Sequence, residues 1–156
     1  MSKSLIRVKA ALSAAGLTPE ILEMQQETRT ALQAAQAAGC GLDQIVKSIL
    51  FHGATTGQLH LFLTAGGNQV CPGKASALAG EALDRADAGQ VRTQTGFAIG
   101  GVAPLGHLTP PPCYFDPCLL MFPVVWGAAG TPRHIFAIPP DLLLQITGAT
   151  LADFAR

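Results

Sequence analysis

The sequence is poor in charged residues, and neither sign is in excess. Only 13% of the 156 residues are charged, and ten basic residues balance ten acidic ones. A protein that coats long stretches of nucleic acid must neutralise many phosphates, so this balance argues against that class. A protein that makes a local contact with one RNA end is still compatible with this charge balance. Hydrophobic residues make up 49% of the chain, which excludes disorder and predicts a compact fold.

Long apolar runs are also missing. No stretch approaches the roughly 18 consecutive apolar residues of a membrane-spanning helix. The N-terminal segment carries basic residues but lacks the apolar core of a secretion signal. Its apolar residues Leu5, Val8 and Leu12 fall on one helical face instead. We therefore expect no membrane partner and a cytoplasmic location.

The four cysteines show no pairing pattern. Cys40, Cys71, Cys113 and Cys118 lack CxxC spacing, and a chain of this length can bury a core without a disulfide framework. His107 precedes two of them, but the spacing is not that of a zinc finger or ribbon, and the prolines between them oppose a chelating turn. We expect no metal, no cofactor and thiols that pack as small apolar groups.

Turn residues divide the chain into alternating helices and strands. The capping box of Thr30 and Gln33 begins a helix, and the turn GATTG predicts a hairpin. The predicted helices cover about 4–15, 30–39, 73–83 and 141–146; the predicted strands and extended pieces cover 21–24, 44–52, 58–64, 91–93, 113–120, 123–128 and 134–138, with a last turn at 150–153. This mixture predicts a single α/β domain of the α+β type over residues 1–156, with a mixed or mostly antiparallel sheet covered by helices.

Small residues interrupt an apolar run at TGFAIGGVAPLG, residues 95–106. Gly100 and Gly101 allow a tight turn and the close approach of another group, while Pro104 fixes one dihedral and removes one amide donor. Such a loop presents main-chain groups to a ligand. A bulge or turn inside a sheet produces the same pattern.

One lysine stands inside a strand that is apolar on both faces. Period-two alternation places Lys47 on one face with Ile45 and Ile49, and Ser48 on the other. A buried ammonium is costly, so Lys47 must reach solvent, pair with a carboxylate, or lie at a cleft that takes an anion. Neither this strand nor its hairpin partner contains an acidic residue, which favours the cleft.

Several segments, in order, resemble the YbaK/prolyl-tRNA synthetase-associated domain family. They are QIVKSILF, LTAGGNQV, RTQTGFAIGGVAPLGH, YFDPCLL, WGAAGTP and PPDLLLQITGA. The resemblance covers residues 28–156 and leaves a helix and strand in residues 1–27 before it. It implies a curved, mixed, mainly antiparallel sheet, partly barrel-like, with flanking helices. Characterised members resemble the editing insertion of bacterial prolyl-tRNA synthetase and hydrolyse wrongly aminoacylated tRNA in trans.

The resemblance also implies roles for individual residues. Residues 100–104, GGVAP, match the family's GxxxP loop, whose main chain positions the aminoacyl carbonyl and the attacking water. Lys47 matches the family's functional lysine, which holds the terminal nucleotide, and the substrate's ribose hydroxyl helps to activate the water. A Ser48–Lys47 nucleophilic dyad is disfavoured, because neighbours on a strand point to opposite faces. The residues expected to be catalytic are Lys47, Gly100, Gly101 and Pro104; those expected to bind substrate are Val102, Ala103, Thr95, His107 and Ser48.

The expected function is trans-editing of mischarged tRNA, and the expected substrate is tRNA(Pro) carrying alanine, cysteine or serine. The acceptor end is the expected partner, with prolyl-tRNA synthetase as a second one, and the expected state is a monomer or a weak homodimer. Lys74, Arg92 and Arg133 are candidates for the path of the acceptor end, or else solvated surface charges. Two alternatives stay open: a non-catalytic module that binds tRNA ends or a nucleotide, and a hydrolase for another small ester or amide.

Overall fold

The computed structural model describes residues 2–156, which form one mixed sheet of eight strands flanked by five helices. The α/β class expected from the sequence is confirmed. The strands are β1 (Ile21–Glu23), β2 (Ile45–Gly53), β3 (Leu59–Ala65), β4 (Leu83–Arg85), β5 (Cys113–Phe115), β6 (Val125–Thr131), β7 (His134–Ile138) and β8 (Thr150–Leu151). The helices are α1 (Lys3–Ala14), α2 (Ala31–Ala38), α3 (Pro72–Ala79), α4 (Ala88–Thr95) and α5 (Pro140–Thr147).

The strands run in the order β1-β7-β6-β2-β3-β5-β8, and β4 pairs with β2 beside this path. Pairings β1–β7, β2–β3, β2–β4 and β6–β7 are antiparallel; pairings β2–β6, β3–β5 and β5–β8 are parallel. The hairpin predicted around GATTG is the β2–β3 pair. Strand β2 therefore lies at the centre of the sheet, with β3 along one edge and β6 and β4 along the other.

Local sequence signals define the helix ends. Thr30 and Gln33 form the predicted capping box at α2, which ends at Gly39 in the left-handed conformation. The Ser2 side chain caps α1, which buries Leu5, Val8 and Leu12 on one face. None of the helices formed by residues 2–156 has the length and apolarity to span a membrane.

Buried side chains form a main core and two smaller clusters. The main core joins the apolar face of α1 to the sheet and includes Val46, Leu61, Phe115 and Phe136. The second packs α2 against Ile45 and Trp126, and the third surrounds Phe62 and Phe154 on the same face of β2 as Ile49. Because Val46 and Ile45 belong to different clusters, both faces of β2 are covered.

Two predicted elements between the hairpin and the glycine loop are wrong. Residues 91–93 were expected to be extended, but they belong to α4, which the Asp87 side chain begins by accepting hydrogen bonds from the N–H groups of Gly89 and Gln90. The helix expected over 73–83 ends earlier, at Gly80 in the left-handed conformation. The residues after it form β4, whose strand conformation depends on pairing with β2.

Two further predictions fail toward the C-terminus. The extended piece 113–120 holds only through β5, after which Asp116 caps a 3₁₀ turn over Pro117–Met121. The turn expected at 150–153 begins instead with β8, a strand of two residues paired with Tyr114 and Phe115. This pairing depends on where β5 lies in the sheet, so no local sequence pattern predicts β8.

A buried carboxylate ties the hairpin turn to the end of α3. The Glu81 carboxylate accepts hydrogen bonds from the N–H groups of Thr55 and Thr56 and from the Thr56 hydroxyl, and it lies 3.0 Å from His60 Nε2. Both side chains of the His60–Glu81 pair are less than 10% exposed by area. The Thr56 N–H, then His60 and the Thr56 hydroxyl, lower the pKa of Glu81 to about 2. The carboxylate thus accepts hydrogen bonds from turn N–H groups in place of main-chain carbonyl oxygens.

We expect Glu81→Gln to destabilise the fold at neutral pH and to change its acid response. A carboxyl group whose pKa falls from 4.5 to about 2 on folding stabilises the native state above pH 4.5, and this contribution is lost as the pH falls toward 2. Urea titrations from pH 7 to pH 2 should show a smaller loss of unfolding free energy in the variant than in the wild type. Equal pH profiles would contradict the assignment, and Glu20→Gln, at an exposed position before β1, is the control.

Candidate functional site

The central strand is incompletely paired on one edge. On that edge β2 pairs with β6 only at Ile45 and Val46, and with β4 only from Phe51 onward. Residues 47–50 therefore have no strand beside them there, although β3 accompanies them on the other edge. This four-residue interruption, which we call the β2 gap, is an opening in the middle of the sheet.

Main-chain polar groups face the β2 gap. Gly53 donates its N–H to the Gln58 carbonyl on the β3 side, and Ala54 donates its N–H to the Ala82 carbonyl on the other side. Main-chain groups alternate between the two edges of a strand, so those of Ser48 and Leu50 point away from β3 and toward the gap. The register with β6 ends before Ser48, and that with β4 begins after Leu50. The Ser48 N–H and C=O and the Leu50 N–H thus lack a ladder partner.

A cavity of about 440 Å³ occupies the β2 gap. Its walls come from the segment before α2, from α2, from β2 and β6, and from the glycine loop. Apolar side chains predominate, and the cations are Arg29, Lys47 and Arg85. The lining residues are Thr28, Arg29, Thr30, Ala31, Ala34, Ile45, Val46, Lys47, Ser48, Ile49, Leu50, Arg85, Ala86, Val91, Ile99, Gly100, Val102, Trp126, Gly127, Ala128 and Ile135.

The Lys47 amine is bound to a neutral oxygen. Its Nζ donates to the main-chain carbonyl of Asn68, and the Asn68 side-chain amide donates to Asp116 Oδ2 over 2.8 Å. Burial lowers the pKa of Lys47, while the charges of Asp116 and Asp43 oppose that shift. Asp116 and Asp43 thus favour the charged form of Lys47, burial disfavours it, and its hydrogen-bond partner is a neutral oxygen.

The glycines of the loop meet two different steric demands. Gly100 has a φ of +94°, a conformation that costs any residue with a Cβ. Gly101 is buried against the turn between β6 and β7, where an added Cβ would lie 2.9 Å from Thr131 Cα and 3.2 Å from Pro132 Cδ. Gly100 and Val102 line the cavity. Glycine at both positions therefore lets the loop hold its main chain beside the cavity without steric conflict or backbone strain.

The other residues predicted for the site lie behind the cavity wall. Ala103 is fully buried in the main core, and Pro104 packs near Gly127. Thr95 is fully buried; its hydroxyl donates to the Val91 carbonyl and accepts from the Phe97 N–H. These three positions shape and support the loop, and the cavity lining does not include them.

His107 also supports the loop from behind. Its Nε2 lies 2.6 Å from the Ala103 carbonyl, and its ring packs edge-to-face on Phe97 with 5.1 Å between centroids. Burial lowers the pKa of His107. A neutral ring whose Nε2–H donates to that carbonyl fits this environment.

Apart from Lys47, the cations at the cavity are not those expected from the sequence. Lys74 pairs with Asp153 over 3.1 Å, and Arg133 donates to the Gln25 carbonyl; neither residue lines the cavity, and neither does Arg92. Arg29 and Arg85 line it instead, and both are exposed. Arg85 was missed because β4 was not predicted. Arg29 was missed because only the tertiary fold brings the segment before α2 to the cavity.

Asn68, Asp43 and Asp116 were also missed as neighbours of Lys47. They come from segments that only the tertiary fold brings to this strand. An available signal was Asp116–Pro117, an aspartate before proline that begins a turn. In residues 2–156 no three His, Cys, Asp or Glu side chains are grouped so that they could hold a metal; the four cysteines are free thiols.

Comparison with known proteins gives one family and several similar chains. The family model described as an aminoacyl-tRNA editing domain matches residues 25–146. YwhH of Bacillus subtilis (strain 168), itself uncharacterised, is 30% identical over 128 residues, which are 82% of this chain and 81% of YwhH.

Solved structures agree with the family match. A protein described as a candidate trans-editing enzyme for prolyl-tRNA synthetase is 47% identical, with a TM-score of 0.92 over 100% of this chain and 99% of that one. The hypothetical protein APE2540 is 29% identical, with a TM-score of 0.88 over 96% of this chain and 99% of that one. The family expected from the sequence is thereby confirmed.

We expect Gly101→Ala to lower the free energy of unfolding by roughly 1 to 3 kcal/mol, because its methyl group would overlap the main chain of Thr131. Gly100→Ala should cost about 1 to 2 kcal/mol through its positive φ alone. Gly73→Ala in α3 is the matched control, since an added Cβ meets nothing within 4 Å there. Denaturant titrations measure all three, and a neutral Gly101→Ala would contradict the close approach.

Proposed function

The chain belongs to the aminoacyl-tRNA editing domain family, and we propose that it is a trans-editing aminoacyl-tRNA deacylase. The single observation that supports this most is the cavity in the β2 gap, which Lys47 and the GxxxP loop both line in a chain matched to this family. The reaction is hydrolysis of the ester between an amino acid and the terminal ribose of tRNA. Water adds to the ester carbonyl, the bond to the ribose oxygen breaks, and that oxygen receives a proton.

The chemistry needs stabilisation of the negative charge that forms on the carbonyl oxygen. Main-chain N–H groups held in fixed positions supply this, at roughly 3 kcal/mol for each well-aimed donor. In our proposal the main chain of the loop from Gly100 to Pro104 positions the carbonyl and the water, with Val102 at the cavity wall. That loop is held in position by Ala103, Thr95 and His107. The ribose hydroxyl of the substrate helps to activate the water.

Lys47 supplies the positive charge of the proposed site. A compact ammonium suits a point contact with a phosphate or with ribose oxygens of the terminal nucleotide. Its present partner, the Asn68 carbonyl, is neutral, so an arriving anion does not have to displace a carboxylate. We propose that Lys47 holds the terminal nucleotide while the loop holds the ester.

The proposed substrate is tRNA(Pro) carrying alanine, cysteine or serine. A synthetase pocket separates side chains that differ by one methylene by only about 1 to 3 kcal/mol, so a second hydrolytic site is useful for small amino acids. The 47% identical protein, described as a candidate trans-editing enzyme for prolyl-tRNA synthetase, supports this choice. We further propose that the single domain acts in the cytoplasm as a monomer or weak homodimer. Its proposed partners are the acceptor end of mischarged tRNA and prolyl-tRNA synthetase.

We expect Lys47→Ala to lower kcat/KM for deacylation of mischarged tRNA(Pro) about 100-fold or more, the usual effect of removing one charge-stabilising group. Alanyl-, cysteinyl- and seryl-tRNA(Pro) should each be tested by following ester loss. Lys74→Ala, whose amine pairs with Asp153 outside the cavity, should stay at the wild-type rate. If the wild type binds these tRNAs without ester loss, the fold is a binding module instead. Loss of other esters at an equal rate would indicate a general esterase.

We expect Arg85→Gln to weaken the salt dependence of deacylation. An arginine that neutralises one phosphate of the single-stranded acceptor end contributes about 0.7 to the slope of log affinity against log salt. The slope of log kcat/KM against log salt should fall by about that amount, with a smaller rate at low salt. Arg133→Gln is the control because Arg133 lies outside the cavity lining. A change confined to Arg133→Gln would place the acceptor end elsewhere.

A further inference from the structure

The glycine loop closes on itself at its base. The Leu108 N–H donates to the Thr95 carbonyl over 3.0 Å, so residues 96–107 leave and return to one point of the fold. A compact loop whose ends lie close together in this way is an Ω-loop. Gly100 and Val102, which line the cavity, lie in the middle of this loop. Their position therefore depends on the groups that fix the base and the interior of the loop.

One cationic side chain of α1 contacts both ends of the glycine loop. Arg7 Nε donates to the Gly106 carbonyl over 2.7 Å, and Arg7 Nη2 donates to the Thr95 carbonyl over 3.4 Å. The guanidinium carbon also lies 4.7 Å from the centroid of the Phe97 ring, within the range of a cation–π contact. The same group thus contacts the start, the interior and the end of the loop.

The loop meets α1 with glycines at the points of contact. At Gly96 an added Cβ would overlap Arg7 Nη2, and at Gly106 it would lie 3.4 Å from Val8 Cα. The Ser4 hydroxyl donates to the Gly96 carbonyl over 3.2 Å. The first two turns of α1 therefore form the surface against which the base of the loop is fixed.

The contacts continue from Arg7 to the wall of the cavity. The Phe97 ring is fully buried and packs edge-to-face on His107, and His107 Nε2 lies 2.6 Å from the Ala103 carbonyl. Ala103 follows Val102, which lines the cavity. A continuous series of packed groups therefore joins the guanidinium to the main chain that the proposed reaction uses.

Arg7 makes these contacts without a carboxylate partner. None of the ion pairs formed within residues 2–156 includes Arg7, and both acceptors are main-chain carbonyl oxygens. A guanidinium holds its donors in a rigid planar fork, whereas the ammonium of a lysine is a compact point charge. The shape of the donor group, more than its charge, is therefore what the loop requires.

We propose that Arg7 is a positioning residue of the proposed deacylase: its guanidinium holds the two ends of the glycine loop together on α1 and so keeps the main chain of residues 100–104 in place at the cavity. The effect on rate rests on the proposed function, whereas the contacts of Arg7 belong to the free protein. Arg7 lies outside residues 25–146, which the family model matches, and does not line the cavity. It therefore acts through the loop and does not contact the reacting atoms.

The kinetic test is Arg7→Lys, which keeps the positive charge and loses the fork. For alanyl-tRNA(Pro), kcat should fall about 10- to 100-fold, the scale of the loss when a catalytic group is displaced by about 1 Å. KM should stay within about twofold of the wild type, because Lys47 holds the terminal nucleotide independently of the loop. Lys3→Ala, at an exposed position on the same helix, is the control and should change neither constant. A wild-type kcat in Arg7→Lys would overturn the inference.

Amide hydrogen exchange tests the same variant without substrate. The N–H groups of Gly101 and Leu108 donate to carbonyls at Ala98 and Thr95, and in Arg7→Lys both should exchange about 5- to 10-fold faster, the effect of losing roughly one hydrogen bond. The N–H groups that pair β2 with β3 should keep their protection. Unchanged exchange in the loop, or an equal loss of protection in β2 and β3, would overturn the inference.

This measurement also separates the inference from the proposed function. A wild type that hydrolyses no mischarged tRNA overturns the function. Faster exchange confined to the loop of Arg7→Lys would still support Arg7 as the residue that fixes the loop, because the exchange experiment uses the free protein.

Discussion

The interrupted pairing of β2 is the constraint on which the site depends. A strand at the centre of a sheet normally has both edges bonded, and its interior is then closed to ligands. Here β3 satisfies one edge, while β6 and β4 reach only the two ends of the other. The cavity, the lysine and the glycine loop all lie at that interruption. A longer β4 or β6 would complete the ladder and remove the cavity.

This arrangement has a cost in stability that other parts of the fold offset. Main-chain groups without ladder partners, the Ser48 hydroxyl and a partly buried ammonium are each unfavourable in a free protein. The apolar clusters on the two faces of β2 supply the compensating burial, and Glu81 fixes the far end of the hairpin. Several departures from the usual packing rules therefore lie at the cavity, as is typical of a functional site.

The sequence was most informative where local rules apply. The capping box at Thr30, the hairpin at GATTG and the amphipathic face of α1 depend on residues close in the chain, and each is present. Strands β4 and β8 have three residues and two, and only pairing with distant segments makes them strands. The failure to predict β4 also concealed Arg85, while Asn68 and Asp116 reached Lys47 through turns that no local pattern connects to β2.

The sequence alone determined the family, the class of the fold and the lysine strand and glycine loop, because these follow from residue types at fixed short spacings. Alternation along β2 also decided that Lys47 and Ser48 point to opposite faces. Only the tertiary structure decided that the two faces communicate, because this depends on where β6 stops and β4 begins. The tertiary structure also decided that the hydrogen-bond partner of Lys47 is neutral and that Ser48 Oγ has no partner. Hydrogen-bond satisfaction is a property of neighbours in space, which spacing along the chain does not specify.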